Sequence, residues 1–176
     1  MKKHIFVLMT LLGLSGQLLA EGLTLTSKDL KGQLSINEVF NGFGCTGKNI
    51  SPELSWKDAP EGTKSFALTV YDPDAPTGSG WWHWVVFNIP ATTHSFVKGV
   101  DLSESSAVES TTDFGGTGFG GACPPEGDKA HRYIFTIHAL DVEKLDLKAN
   151  ANPALAGYYI NAHTISKASL ISYYNR

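Results

Sequence analysis

Three short segments hold the side chains of this sequence that could do chemistry together. They are Asp72-Pro73-Asp74-Ala75-Pro76, Trp81-Trp82-His83-Trp84, and Pro124-Pro125 running on to His131-Arg132-Tyr133. An aspartate beside a histidine orients the ring and favours its charged form. Such a pair can bind an anion through the imidazole while the carboxylate accepts from a hydroxyl or an ammonium. The prolines stiffen the acidic turn, so its carboxylates are held at little entropic expense. Three tryptophans around His83 exceed what one small core face requires, which assigns some of them, Trp82 among them, to a ligand rim.

Other chemistries fit less well. Asp72, Asp74, His83 and His131 are ligand types for zinc or iron, but no close His spacing accompanies them, and no metal or cofactor is expected. No Gly-x-Ser-x-Gly elbow is present, Ser79 sits in a loop, and no oxyanion hole can be read. Cys123 beside His131 would serve as a nucleophile only if it were not bridged. The run Gly116-Thr117-Gly118-Phe119-Gly120-Gly121 matches a dinucleotide fingerprint but lacks a surrounding βαβ unit. Asn49-Ile50-Ser51 matches a glycosylation sequon, a pattern that arises often by chance.

The elements that must position these groups read mainly as strands. Phe66 to Tyr71 and His83 to Asn88 are β-rich and bounded by turn residues. His131 to Leu140 is the longest run, with His131, Tyr133, Phe135 and Ile137 on one face and Arg132, an ion-pair residue, on the other. Leu23 to Thr26 and Ala168 to Tyr174 are weaker strand signals. Asn152-Pro153 predicts a helix from Pro153 to about His163, with Asn as cap and Pro at the first helical position. Asp113 to Gly121 reads as a glycine-rich loop. The pattern predicts a mainly β, sandwich-like domain with one or two peripheral helices. If the strands around 66–72 and 83–88 pair antiparallel, Asp72 comes beside His83, and a third strand entering from the same edge adds His131.

Residues 1–20 have the layout of a secretory signal peptide: Lys2 and Lys3, an apolar run from Ile5 to Leu14, and a short segment from Ser15 that closes at Ala20. Cleavage is expected near Ala20, which gives a periplasmic protein of one domain, residues 21–176, with no transmembrane segment in its mature form. Removal of two lysines and no acid takes the formal charge from −3 to −5. With no basic cluster, nucleic acid is excluded as a partner. The two cysteines, Cys45 and Cys123, are expected to form a disulfide in an exported chain, with a pair of buried thiols as the alternative.

The sequence also resembles the phosphatidylethanolamine-binding protein family, or Raf kinase inhibitor protein family, in its bacterial branch. The matching blocks are Asn49 to Trp56, Gly62 to Leu68, Asp72 to Pro76, Gly78 to Asn88, and Pro124-Pro125 through Tyr133. The resemblance implies a β-sandwich built on a large sheet and a small pocket for phosphate-like groups such as phospholipid head groups. It places Asp72, His83, Pro125 and His131 on pocket positions, with Asp74 and Tyr133 in the same motifs.

These readings together lead to an expected non-enzymatic periplasmic binding protein for a small anionic or phosphorylated ligand, with both imidazoles as donors. The alternative is an interaction module that acts through its surface on a protein partner, as an inhibitor or as a signalling or virulence modulator. Self-association as a homodimer is compatible with either. A hydrolase using His131 as base is the third reading.

Overall fold

The computed structural model describes residues 22–176, so the expected leader and cleavage near Ala20 lie outside the described residues. In chain order the elements are β1 (Thr24–Thr26), β2 (Asn41–Gly42), β3 (Cys45–Thr46), β4 (Leu54–Lys57), β5 (Ser65–Asp72), β6 (Trp81–Pro90), β7 (Ser95–Phe96), β8 (Val108–Glu109), β9 (His131–Leu140), α1 (Pro153–His163) and β10 (Thr164–Tyr174). A five-stranded sheet of order β10-β9-β5-β6-β8 faces a three-stranded sheet of order β1-β4-β7. β2 and β3 form a separate hairpin.

The core lies between the two sheets. From the large sheet come Phe66, Leu68, Val70, Trp84, Val86, Tyr133, Phe135 and Ile137; from the small one come Leu25, Leu54, Trp56 and Phe96. Alternation puts Ala67, Val85 and Phe87 on the opposite face, where Ala156 and Ile160 of α1 cover them. β5 is therefore buried on both faces, which explains why Ser65 to Asp72 reads as a nearly continuous apolar run rather than an alternating one.

The helix has the predicted bounds and the predicted start. The Asn152 side chain accepts from the Leu155 N–H, and Pro153 occupies the first turn, where its missing donor is not needed. At the other end the chain turns directly into β10, and the Thr164 hydroxyl donates to Ile160 O. The helix is the only one among the described residues.

Cys45 of β3 is bridged to Cys123, with Cα atoms 6.0 Å apart and a separation of 78 positions in sequence. The bridge ties the β2–β3 hairpin to the segment Pro124-Pro125. The sequon is spoken for structurally, since the Asn49 amide donates to Phe119 O and accepts from the Gly121 N–H. Gly121 itself is required by close packing, because a Cβ there would lie 2.3 Å from Glu38 O.

Candidate functional site

β5, β6 and β9 are adjacent and antiparallel, and their ends bring the three chemical segments together. Asp72, the last residue of β5, pairs with Trp81 rather than with His83. Tyr71 then pairs with Trp82, and Val70 with Trp84, so His83 is the extra residue of a β-bulge. The bulge interrupts alternation. His83 and Trp84 are consecutive, yet both turn toward the core side of the sheet: Trp84 packs in the core and His83 lines a cavity at its edge. On β9 undisturbed alternation sends His131 and Tyr133 to that same side.

The cavity measures about 200 Å³. Its polar wall is Asp72, His83, His131 and Tyr133, all buried. Pro124, Pro125 and Cys123 form a second wall, and Phe43, Trp81 and Phe114 an aromatic one. Asp72 anchors His131, not His83: its Oδ2 lies 2.7 Å from His131 Nδ1, while Oδ1 accepts from the Asp74 N–H at 2.8 Å. The other nitrogen of His131, Nε2, has Asp128 Oδ2 at 3.4 Å. His131 therefore meets a carboxylate at each end of its ring.

His83 is held differently. Its Nδ1 lies 2.8 Å from Gly120 O. A carbonyl only accepts, so Nδ1 carries a proton. Burial lowers the pKa of this ring to about 4, against the opposing pull of the Gly120 carbonyl and the Asp72 charge. Above that pH the ring is neutral, and Nε2 is an acceptor. This revises the expectation that both imidazoles donate to an anion. Burial also pushes the Tyr133 phenol far up, with Asp72 adding to the effect. Its hydroxyl remains an O–H donor, and it is buried without a hydrogen-bond partner among the described residues.

Two residues expected at the pocket stand elsewhere. Trp82 points to the opposite face of the sheet, where it packs on Tyr71 and beneath Gly157 of α1. The reason is its register opposite Tyr71, which alternation places on the helix side. Asp74 is turned away from the cavity, with both oxygens taken by the Arg132 guanidinium at 2.8 and 2.9 Å. That hydrogen-bonded pairing lowers the Asp74 pKa to about 2. The remaining expected residues, Asp72, His83, Pro125, His131 and Tyr133, line one cavity.

Sequence reasoning missed Phe43, Phe114, Asp128 and the role of Gly120. Phe43 and Phe114 are isolated aromatics in glycine-rich loops, Asn41-Gly42-Phe43-Gly44 and Asp113-Phe114-Gly115-Gly116. An apolar ring in such a setting was the available signal. Gly120 lies against Phe114, and a Cβ there would come within 2.3 Å of the ring. No group of three or more metal-ligating side chains is gathered among the described residues. No helix among them is long and apolar enough to cross a membrane.

Known proteins share this arrangement of sequence and fold. A family model described as phosphatidylethanolamine-binding protein matches residues 26–175. The chain is 50% identical over 162 residues to YbcL of Escherichia coli strain K12, covering 88% of each chain. It is 48% identical over 157 residues to YbhB of the same organism, covering 86% of this chain and 99% of YbhB. The crystal structure of E. coli YbcL superposes with a TM-score of 0.84 at 49% identity, over 88% of this chain and 98% of that one. A homolog from Chlamydia trachomatis superposes with a TM-score of 0.74 at 30% identity, with the same coverage.

Proposed function

The chain belongs to the phosphatidylethanolamine-binding protein family, and from that premise we propose that it is an exported, non-enzymatic protein that binds a small anionic group, phosphate-like or a phospholipid head group, in the cavity at the ends of β5, β6 and β9. The observation that carries the reading is the Asp72–His131 pair at 2.7 Å, buried in the wall of a cavity that His83 and Tyr133 also line. Polar groups already fixed in place bind without further ordering cost. The disulfide agrees with export into an oxidising compartment. The non-enzymatic reading is supported by the state of two nucleophile types near the cavity. Cys123 is bridged, and the Thr77 hydroxyl donates to Gly80 O instead of facing an imidazole.

The roles divide by chemistry. The Tyr133 hydroxyl donates to an anionic oxygen. Asp72 accepts from His131 Nδ1, so it is the doubly protonated ring that also donates from Nε2, once the Asp128 carboxylate yields that position. Neutral His83 accepts, so the group that suits it is the P–OH of a singly ionised phosphate. A phosphomonoester loses that proton near pH 6. Binding of inorganic phosphate or a simple phosphomonoester is therefore expected to weaken about tenfold or more between pH 5.5 and pH 8.5. Isothermal titration at the two pH values checks this, and equal affinity at both would overturn the assignment.

Asp128 supplies a second check. Its carboxylate opposes any anion arriving at His131 Nε2. Asp128→Asn is expected to tighten phosphate binding about fivefold, the scale of one nearby like charge. Glu126→Gln makes the same charge change in the same loop, with an exposed side chain. It should alter affinity less than about twofold. If the two variants behave alike, Asp128 has no special place at His131.

A second reading, a surface-acting interaction module or homodimer, is favoured by one observation. The edge strand β10 and the helix beside it expose Ile165, Ile171, Tyr173 and Tyr158. A strand edge with unpaired backbone groups is a template for pairing with another chain, and the edge of β10 is already taken at Tyr173, which bonds to Gly32 O and the Leu34 N–H. The phosphate titration separates the readings: a folded protein with no phosphate affinity at either pH leaves only the surface.

A further inference from the structure

Phe43 is placed against its own local preferences. It stands at the tip of the β2–β3 hairpin with φ at 52°, a left-handed conformation that suits glycine or asparagine and disfavours a bulky ring. It is also 67% exposed. Its ring packs on Phe40, with centroids 5.4 Å apart, and most of its surface stays open. Yet the disulfide holds this hairpin against the cavity wall, since Cys45 is in β3 and Cys123 lines the cavity. The Phe43 ring lies nearly parallel to Phe114, at 11° with centroids 5.9 Å apart. Phe114 in turn meets Trp81 and His83 edge-on, at 5.4 and 5.3 Å. Phe43, Phe114 and Trp81 all line the cavity whose other wall is Asp72, His83 and His131.

A polar wall and an aromatic shelf within one small space describe a ligand with two unlike ends. Phe43 and Phe114 stack on one another with Phe40 packed against both, and their remaining surface in the cavity wall gives a flat aromatic ring more to stack on than it gives an acyl chain. The cavity, at about 200 Å³, is below the roughly 300–1,000 Å³ of drug-sized sites, which suits a single ring. We propose that Phe43 and Phe114 form a stacking subsite, so that the favoured ligand is an aryl phosphate, an anion carrying a planar aromatic group, over a free or alkyl-substituted phosphate. The proposal rests on the anion-binding reading and narrows it.

The test is isothermal titration of the oxidised protein with inorganic phosphate, ethyl phosphate and phenyl phosphate near pH 6. Phenyl phosphate is expected to bind about tenfold tighter than ethyl phosphate, in line with one aromatic stacking contact. In Phe43→Ala that ratio falls to about one. In Phe43→Leu, which keeps the apolar surface but not the flat face, it falls by more than half. Equal affinity for phenyl and ethyl phosphate in the native protein overturns the subsite while leaving the anion reading intact. A preference that survives Phe43→Ala also overturns it. If none of the three ligands binds, both readings fall together. Phosphatidylethanolamine vesicles that bind only when Phe43 is present, without any aryl preference, assign the ring to a lipid surface and sink the proposal.

Discussion

Acidification from pH 7 to pH 4 is expected to remove on the order of 5 kcal/mol of folding stability, at a pH where the Asp74 carboxylate is still ionised. The cause is two buried imidazoles. His83 and His138 both have pKa values lowered to about 4, in each case mainly by burial. His138 sits under the helix side of the sheet, near the Thr69 and Thr164 hydroxyls at 3.4 and 3.2 Å, with Lys167 adding to the shift. In the unfolded chain both rings take a proton below about 6.5. In the folded chain they do not until about 4. The unfolded state thus binds more protons throughout that window, and stability drops as the pH is lowered, by up to about 1.4 kcal/mol per pH unit for each ring. The contribution is complete above 6.5, is lost progressively as pH falls to about 4, and changes no further below it. Asp74 works in a separate window, since its pKa of about 2 makes its contribution present above 3.8 and lost below. Urea denaturation at pH 7.5, 6, 5 and 4 measures the slope. His138→Gln should remove about half of it. A free energy of unfolding that stays level from pH 7 to 4.5 would show that neither ring is neutral in the fold.

Loss of the Cys45–Cys123 bridge is expected to lower stability by about 4 kcal/mol in the chain-entropy account, because the bridge closes a long loop. Its ends are 78 residues apart in sequence, and the bridge brings their Cα atoms to 6.0 Å. Without the bridge, the unfolded chain regains the freedom of that loop. The check is guanidinium denaturation of the oxidised protein, of the reduced protein, and of a double Cys45→Ser, Cys123→Ser variant. The two bridge-free forms should agree with each other and unfold at clearly lower denaturant. A loss under 1 kcal/mol would mean that the loop ends are already held together in the unfolded state. The same variant also frees the hairpin that carries Phe43, so any aryl preference should weaken along with stability.

Part of the site was legible because it depends on neighbours in sequence. The period of two along His131 to Leu140 sends His131 and Tyr133 to one face and Arg132 to the other, whatever lies beside that strand. Asn152-Pro153 marks a helix start through a cap and a missing donor, both local effects. The Asp72 turn and the pairing of the two cysteines follow in a similar way from residue type and composition, whereas the family resemblance is what places Pro125 at the pocket. The surplus of tryptophans misled in one place. It assigned Trp82 to a ligand rim, but the extra residue at His83 sets Trp82 opposite Tyr71 on the helix side of the sheet.

What the chain determines by itself is therefore the kind of each segment and the direction each side chain takes from it, since those rest on φ preferences and on periods of two and 3.6 residues. Only the tertiary structure decided that Asp72 anchors His131 and leaves His83 to the Gly120 carbonyl, that Asp128 faces His131, and that Phe43 and Phe114 close the cavity. Each of those contacts joins segments separated by loops, strand order or a bulge. Strand order and the bulge are set by how the two sheets and the helix pack as a whole, which no local preference encodes.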